Sequence, residues 1–177
     1  MARVLVVCYS RSGTTKKAGA AIAKALGADF EVIVDRASRA GIRGYLRSGY
    51  EATFQRETQI ERPARDAEDY DLVVLGTPVW NASLSSPMLT YIRQHMSELG
   101  EVAFFCTCGG RGGERVLAQM ARETGRTATA TLILREAEVA HDTIAPKVDR
   151  FVRALRATLE TAPSGRVGSA PSAGLHA

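Results

Sequence analysis

Residues 4–26 read VLVVCYSRSGTTKKAGAAIAKAL, an apolar run that breaks into small polar residues and then resumes with helical spacing. Val4–Cys8 has the continuous apolar character of a strand that is buried on both faces. From Ala18 to Leu26 the apolar residues recur at helical intervals, and Gly27 is a common type of helix stop. The stretch therefore predicts a strand, a polar turn at residues 10–15 and a helix.

The same alternation of strand-length apolar runs and helical patterns recurs along the chain. Further strands are predicted at Phe30–Val34, Leu72–Leu75, Val102–Cys106 and Thr129–Leu134. Further helices are predicted across Ile42–Phe54, from Ser86-Pro87, between Gly113 and Gly125, and from Val148 to Leu159. Five strand–helix units with right-handed crossovers predict an α/β fold, a doubly wound five-stranded parallel sheet with helices on both faces.

Length and composition indicate one globular domain. The chain has 177 residues, of which 45% are hydrophobic and 24% charged, which are ordinary values for a globular protein. We expect the domain to cover residues 1–160 and a Pro/Gly-rich flexible tail to cover residues 161–177. No apolar run approaches the roughly 20 residues that span a bilayer, so we expect no membrane insertion and a cytoplasmic location.

The cysteines and the charge distribution limit the kinds of site and partner that the chain could have. Cys8, Cys106 and Cys108 lack CxxC or metal-ligand spacing, so we expect reduced, buried thiols and no metal site. The net charge is +4, and the segment Arg36–Arg65 carries all of it, with seven arginines against three glutamates. Two interpretations of that segment remain open: an amphipathic helix with solvated charges, or a basic surface for an anionic partner or cofactor.

Three unusual loops follow strands whose carboxyl ends meet at one edge of the predicted sheet, where ligands bind in such folds. The first contains Ser10, Arg11, Ser12, Gly13, Thr14 and Thr15. Its hydroxyls, its glycine and the start of the following helix suit a phosphate. The alternative is a helix cap in a tight turn.

The sequence of the first loop does not match the motifs of other phosphate-binding sites. A P-loop requires GxxxxGK[ST] and a dinucleotide fold requires GxGxxG, and neither occurs here. A receiver domain would need an aspartate at the end of the first strand, where Cys8 and Tyr9 stand. A low-molecular-weight tyrosine phosphatase would need an arginine six residues after its cysteine, but Thr14 holds that position.

The other two loops suit a flat, polar ligand. Residues 76–87 read GTPVWNASLSSP and contain Trp80, the single tryptophan, which could stack on a planar ring or cover the core. Residues 107–114 read TCGGRGGE, where four glycines around Arg111 would allow backbone amides to approach a ligand closely, or would form a flexible turn.

With these three loops, the sequence resembles the flavodoxin family over about residues 2–160. The resemblance is carried by VVCYSRSGTTKKAGAAIA, DLVVLGTPVWNASLSSPM and VAFFCTCGGRGGE, in the family's order. It implies a sheet in the order 2-1-3-4-5 and FMN as cofactor. By the same resemblance, the first loop would hold the phosphate and Thr77, Pro78, Val79, Trp80 and Asn81 would pack on the isoalloxazine. Amides of Thr107, Cys108, Gly109, Gly110, Arg111, Gly112 and Gly113 would meet the pyrimidine edge.

The chain also departs from that family's electron carriers. Its first loop is shorter and carries Arg11, whose role stays open; its charge is basic rather than acidic; and its third loop lacks a second aromatic residue. One flavin face would therefore be open. We favour an electron-transfer protein slightly over an NAD(P)H-dependent quinone or flavin oxidoreductase, with a flavin-free binding module third. The expected partners are a redox protein or NAD(P)H and quinone, not nucleic acid, for a monomer or dimer. No catalytic side chain is expected, because the chemistry belongs to the flavin.

Overall fold

A computed structural model describes residues 2–36 and 57–161 of the chain. Its five parallel strands are β1 (Val4–Cys8), β2 (Asp29–Val32), β3 (Leu72–Trp80), β5 (Glu101–Cys108) and β6 (Thr131–Arg135), and a short strand, β4, covers Ser83–Leu84. The helices are α1 (Thr14–Leu26), α2 (Ser86–His95), α3 (Gly113–Thr124), α4 (Glu136–Ala140) and α5 (Ala145–Thr161), with one 3-10 turn at Ala67–Asp69.

The parallel strands lie in the order β2-β1-β3-β5-β6. When only the five parallel strands are counted, this is the predicted order 2-1-3-4-5, and the α/β doubly wound prediction is confirmed. The central strand, β3, pairs with β1 on one side and with β5 on the other. The order reverses between β1 and β3, and such a reversal opens a crevice at the carboxyl ends of the strands.

Both faces of the sheet are buried, which explains the uninterrupted apolar runs of the strands. Leu5 and Val7 of β1 belong to the cluster that includes Met88 of α2 and Met120 of α3. Val6 and Cys8 point the other way, into the cluster with residues of α1 and α5. The three cysteines are free and buried, as predicted.

The helix ends follow the predicted signals. Gly27 and Gly125 end α1 and α3 in the left-handed region, with φ of 66° and 63°, and their N–H groups bond to carbonyls of the last turn. Pro87 lies in the first turn of α2, where a missing N–H costs no helical hydrogen bond. Within residues 2–36 and 57–161, no helix has the length and apolar character needed to cross a membrane.

Several local features differ from the predictions or lie outside the described residues. β3 continues five residues past Leu75, to Trp80, because β5 pairs with it as far as Pro78 and β4 pairs with Val79 and Trp80. β4 and α4 were not predicted, since two and five residues give too short a pattern. The predicted helix across residues 42–54 lies outside the described residues. The tail was predicted at residues 161–177; residue 161 is the last residue of α5, and residues 162–177 lie outside the described residues.

Candidate functional site

Strand register brings the beginnings of the three predicted loops together. Cys8, the last residue of β1, pairs with Gly76 of β3. Two residues later on β3, Pro78 pairs with Thr107 of β5. The first, second and third loops therefore leave neighbouring strands at the same edge of the sheet, as the sequence predicted.

The first loop ends in an uncapped helix N-terminus. Gly13 has a φ of 94° and precedes α1, and no side chain of the described residues caps the helix there. Ser10 Oγ accepts a hydrogen bond from Gly13 N–H at 3.1 Å, and the hydroxyls of Ser12 and Thr14 lie 3.3 Å apart. The first amides of α1 have no partner within the helix, so hydroxyls, amides and the positive end of the helix dipole converge on one point.

Thr15 has a different place from its neighbours in that loop. Its side chain is 1% exposed, and its hydroxyl forms a 2.7 Å hydrogen bond with the hydroxyl of Thr107 at the end of β5. The bond joins the first loop to the third. A ligand in front of α1 would therefore meet the backbone N–H of Thr15 rather than its side chain.

The second loop is a β-hairpin at its tip. Trp80 pairs with Ser83 in an antiparallel arrangement, and Asn81 and Ala82 form the turn with φ of 48° and 54°. Positive φ at both central residues is characteristic of a two-residue hairpin, and glycine or asparagine usually occupies such positions. The turn places the half-buried Trp80 and the exposed Asn81 at the rim.

Residues before the hairpin lie deeper. Thr77 is fully buried, and its hydroxyl bonds to Ser85 Oγ at 2.8 Å and donates to the carbonyl of Pro78 at 3.0 Å. Pro78 is buried and Val79 is half-buried. The structure thus separates the predicted second group into a buried base, Thr77 and Pro78, and a rim that begins at Val79.

Burial also changes along the third loop, from a buried start to exposed glycines. Thr107 and Cys108 are buried, while Gly109, Gly110 and Arg111 are exposed. Gly112 has a φ of 96° and precedes α3. A Cβ on Gly112 would lie 2.7 Å from Ala82 Cα, so the third loop packs directly against the backbone of the hairpin.

The cysteines near the site are protected as neutral thiols. Burial raises the pKa of Cys8 to about 12, and the nearby Lys16 lowers it by a smaller amount. Burial likewise raises the pKa of Cys106 to about 12, and it raises the pKa of Cys108. A thiol of this kind is a poor nucleophile at neutral pH, in agreement with the rejection of a phosphatase site.

Two residues at this edge were missing from the sequence prediction. Tyr9 is 4% exposed, and its ring lies perpendicular to that of Trp80 with the centroids 5.5 Å apart. Gln119 of α3 accepts a hydrogen bond from Leu84 N–H through Oε1 at 3.0 Å. Tyr9 could have been recognised as a site residue from its position directly after a buried strand. Nothing in the sequence indicated Gln119, because the contact crosses 35 residues.

The basic segment is only partly described. At its two ends, Arg36 N–H bonds to the carbonyl of Gln59 at 2.9 Å, and Glu61 N–H bonds to that of Val34 at 2.9 Å. These ends form a short antiparallel ribbon with a bridge between Asp35 and Ile60. The arginines at residues 39–56, on which the proposed anion surface depends, lie outside the described residues.

The residues present fit the phosphate and ring of a flavin mononucleotide. A Cβ added at Gly13 or at Gly110 would meet no described atom within 4 Å, so open space lies in front of the first and third loops. The first loop offers neutral hydroxyl and amide donors, which suit a phosphate dianion at a helix start. The half-buried indole of Trp80 offers an apolar surface between the two.

Comparisons with known proteins agree with this geometry. The family model for NADPH-dependent FMN reductase matches residues 2–145. No curated protein matches the sequence significantly. The solved structures that are similar in fold include the following three.

The first is a flavoprotein in complex with FMN from Lactobacillus acidophilus, with 22% identity, a TM-score of 0.67, and coverage of 80% of this chain and 98% of that one. An apo NADH:FMN oxidoreductase shares 15% identity, with a TM-score of 0.56 and coverage of 94% of each chain. Oxidised flavodoxin 1 from Bacillus cereus shares 17% identity, with a TM-score of 0.52, and coverage is 91% of this chain and 99% of that one. At these identities the likeness establishes the flavodoxin-like fold.

Proposed function

The chain belongs to the NADPH-dependent FMN reductase family, and on that premise we propose that it is an NAD(P)H-dependent FMN oxidoreductase. It is a flavodoxin-like flavoprotein with FMN as its cofactor. The family match over residues 2–145 carries the proposal. It favours the oxidoreductase over the electron carrier, which the sequence alone slightly favours.

The charge of the chain supports the same choice. The net charge is +4, whereas the resemblance implied that dedicated carriers are strongly acidic. NADPH carries several phosphate charges, and a basic protein attracts such an anion from a distance. Electrostatics therefore favours a nucleotide as reductant over a basic redox protein as partner.

We assign the phosphate of FMN to the first loop. The exposed Ser12 and the half-buried Thr14 would donate their hydroxyls. The first amides of α1, including that of Thr15, would donate along the helix axis. Ser10 would act through its bond to Gly13 N–H, which sets the shape of the turn. Arg11 is exposed at the same turn and would add a positive charge near the phosphate.

We assign the isoalloxazine ring to the space between the hairpin and the third loop. Trp80 and Val79 would cover one face of the ring, while Asn81 lies at its edge. Thr77 and Pro78 would support this surface from below, because their side chains are buried. This arrangement keeps water from one face and leaves the other to a substrate.

The third loop would bind the pyrimidine edge of the ring. Residues 109–113 can present N–H groups to ring oxygens, and Arg111 would place a cation where the reduced ring gains negative charge. Bound FMN would supply the chemistry of accepting a hydride from a reduced nicotinamide. No protein acid or base is needed for that step, so the chain's part is to bind, orient and exclude water.

Anaerobic mixing tests the proposal. Purified protein loaded with FMN is mixed with NADPH, and flavin absorbance is followed by stopped flow. A reductase should bleach the flavin within seconds, with a rate that saturates as NADPH rises. Wild-type protein without nucleotide is the control for photoreduction. Bleaching no faster than that of free FMN would contradict the reductase and leave the electron carrier.

A binding titration tests the third possibility, a flavin-free binding module. We expect FMN to quench the emission of Trp80, the single tryptophan, and to bind more tightly than riboflavin, which lacks the phosphate. Thr14→Val should reduce that preference, whereas Thr158→Val, on the exposed side of α5, should leave it unchanged. Unchanged emission and no binding of either compound would indicate a flavin-free module.

A further inference from the structure

We propose that Gln119 is a positioning residue for the flavin site, which fixes the Trp80 hairpin (residues 79–84) against the third loop. This inference rests on the proposed function, because it concerns the same FMN site. The residue lies in the fourth strand–helix unit and contributes to the site only through its neighbours.

The side chain of Gln119 is unusual for its place in α3. Its neighbours Val116, Leu117 and Met120 are buried apolar residues that pack in the core between the sheet and α2. Gln119 itself is 4% exposed. A buried glutamine in such surroundings costs free energy unless its polar atoms are bonded, so a specific contact must account for it.

That contact is with the hairpin. Gln119 Oε1 accepts the N–H of Leu84 at 3.0 Å, and both groups are buried. Nε2 has no partner among the described residues. The opposite orientation of the amide would set two donors against each other, so the hydrogen-bond chemistry fixes the orientation. An apolar residue would avoid the unpaired Nε2 but would leave Leu84 N–H without an acceptor.

The bond matters because it adds a polar contact with α3 to the burial of Leu84 and to the short β3–β4 pairing. β4 has only two residues, and its turn uses positive φ at Ala82, a residue that rarely adopts that conformation. Beside it, Gly112 approaches so closely that any side chain there would overlap Ala82. Gly112 directly precedes α3, and Gln119 lies within that helix. The third loop and the hairpin are therefore joined at two points, one at the turn and one at Leu84.

The consequence is a fixed distance between two parts of the proposed flavin site. Trp80 is on the hairpin, and the amides of residues 109–113 are on the loop that begins α3. With Gln119 bonded, both parts move as one body. Without that bond, only the contact of Gly112 with Ala82 and the packing of Leu84 would hold the hairpin, and the indole would be less firmly positioned over the ring.

The test uses Gln119→Met, which keeps the length of the side chain and removes its acceptor. In flavin-free protein we expect amide hydrogen exchange at Leu84 to become at least tenfold faster, as measured by NMR. In titrations followed by Trp80 emission we expect the Kd for FMN to rise about tenfold. Gln94→Met, at an exposed position of α2, is the matched control and should change neither value.

A conservative variant keeps the proposal testable if Gln119→Met folds poorly. In Gln119→Glu, burial favours the protonated carboxyl, which presents a carbonyl to Leu84 N–H. At pH 6 we expect a Kd for FMN within threefold of that of the wild type at the same pH.

The outcomes separate this inference from the proposed function. Leu84 protection and FMN affinity within twofold of wild type in Gln119→Met would overturn it. Faster exchange at Leu84 with unchanged FMN affinity would also overturn it, because the bond would then hold the hairpin without positioning the flavin. If wild-type protein binds no FMN, the proposed function fails, while the exchange at Leu84 still decides whether Gln119 holds the hairpin.

Discussion

Gly76 of β3 lacks a side chain because the ring of Phe105 occupies the space that a Cβ would need. Phe105 belongs to the neighbouring strand β5 and is fully buried, so it cannot move aside. The glycine lies opposite Cys8, at the level where β1 ends and the site begins. The absence of a side chain at Gly76 thus allows β3 and β5 to pack together beneath the hairpin.

Gly76→Ala should lower the free energy of unfolding by about 1–3 kcal/mol, the usual cost of overfilling a packed core. The measurement is urea unfolding followed by circular dichroism. Gly110→Ala is the matched control, because a Cβ there would meet no described atom within 4 Å; we expect a change below about 0.5 kcal/mol. Equal stability of the two variants would contradict the packing argument.

At the scale of elements, buried hydroxyl pairs connect the parts of the site. Thr15 of α1 bonds to Thr107 of β5, and Thr77 of β3 bonds to Ser85 beside α2. Both pairs connect different elements: Thr77 and Ser85 are 8 residues apart in the sequence, and Thr15 and Thr107 are 92 residues apart. These bonds keep the phosphate loop, the hairpin and the third loop in one arrangement.

Thr15→Val should destabilise the protein by about 1–2 kcal/mol, because the hydroxyl of Thr107 loses its partner in a buried position. The double variant Thr15→Val with Thr107→Val should recover most of that loss, since apolar groups of the same shape then replace both hydroxyls. Urea unfolding of both single variants and of the double variant measures the coupling. Additive losses would show that the two hydroxyls do not interact.

The elements themselves were mostly predictable. β1 has the predicted bounds, and the helix stops at Gly27 and Gly125 were recognisable, because glycine in the left-handed region is a local signal. The extension of β3 to Trp80 was not predictable, because Gly76, Thr77 and Pro78 favour a turn locally. It is pairing with β5 and with β4 that keeps these residues extended.

At the scale of the whole molecule, burial of thiols links stability to alkaline pH. Cys8 and Cys106 have pKa values raised from 9.0 to about 12, chiefly by burial. Below pH 9 both the folded and the unfolded chain hold these protons. Between pH 9 and 12 only the unfolded chain releases them, so stability falls as pH rises through that window.

Each of these thiols should contribute a loss of about 1.4 kcal/mol per pH unit above pH 9. Urea unfolding at pH 8, 9 and 10 measures the slope. Cys8→Ala should show a shallower slope by one thiol's share, even if its stability at pH 8 is lower because of the cavity. Other groups that titrate in this range affect both proteins equally, so identical slopes would contradict the burial of Cys8 as a neutral thiol.

The sequence by itself determined the class of fold and the edge of the sheet at which the three loops lie. These features depend on local signals: apolar runs, helix stops, and the small polar residues at residues 10–15. Parallel strands bring their carboxyl ends to one edge whatever their detailed packing, so the three loops could be placed together in advance.

Only the tertiary structure decided which side chains of those loops turn into the core and which are exposed at the rim. Thr15 and Thr77 turn inward to partners on other strands, while Tyr9 and Gln119 support the rim from positions that no motif marks. Whether a hydroxyl or an amide points into the core or toward a ligand depends on partners that are distant in sequence. That choice is made by packing, and for this reason the spacing of residues along the chain could not predict it.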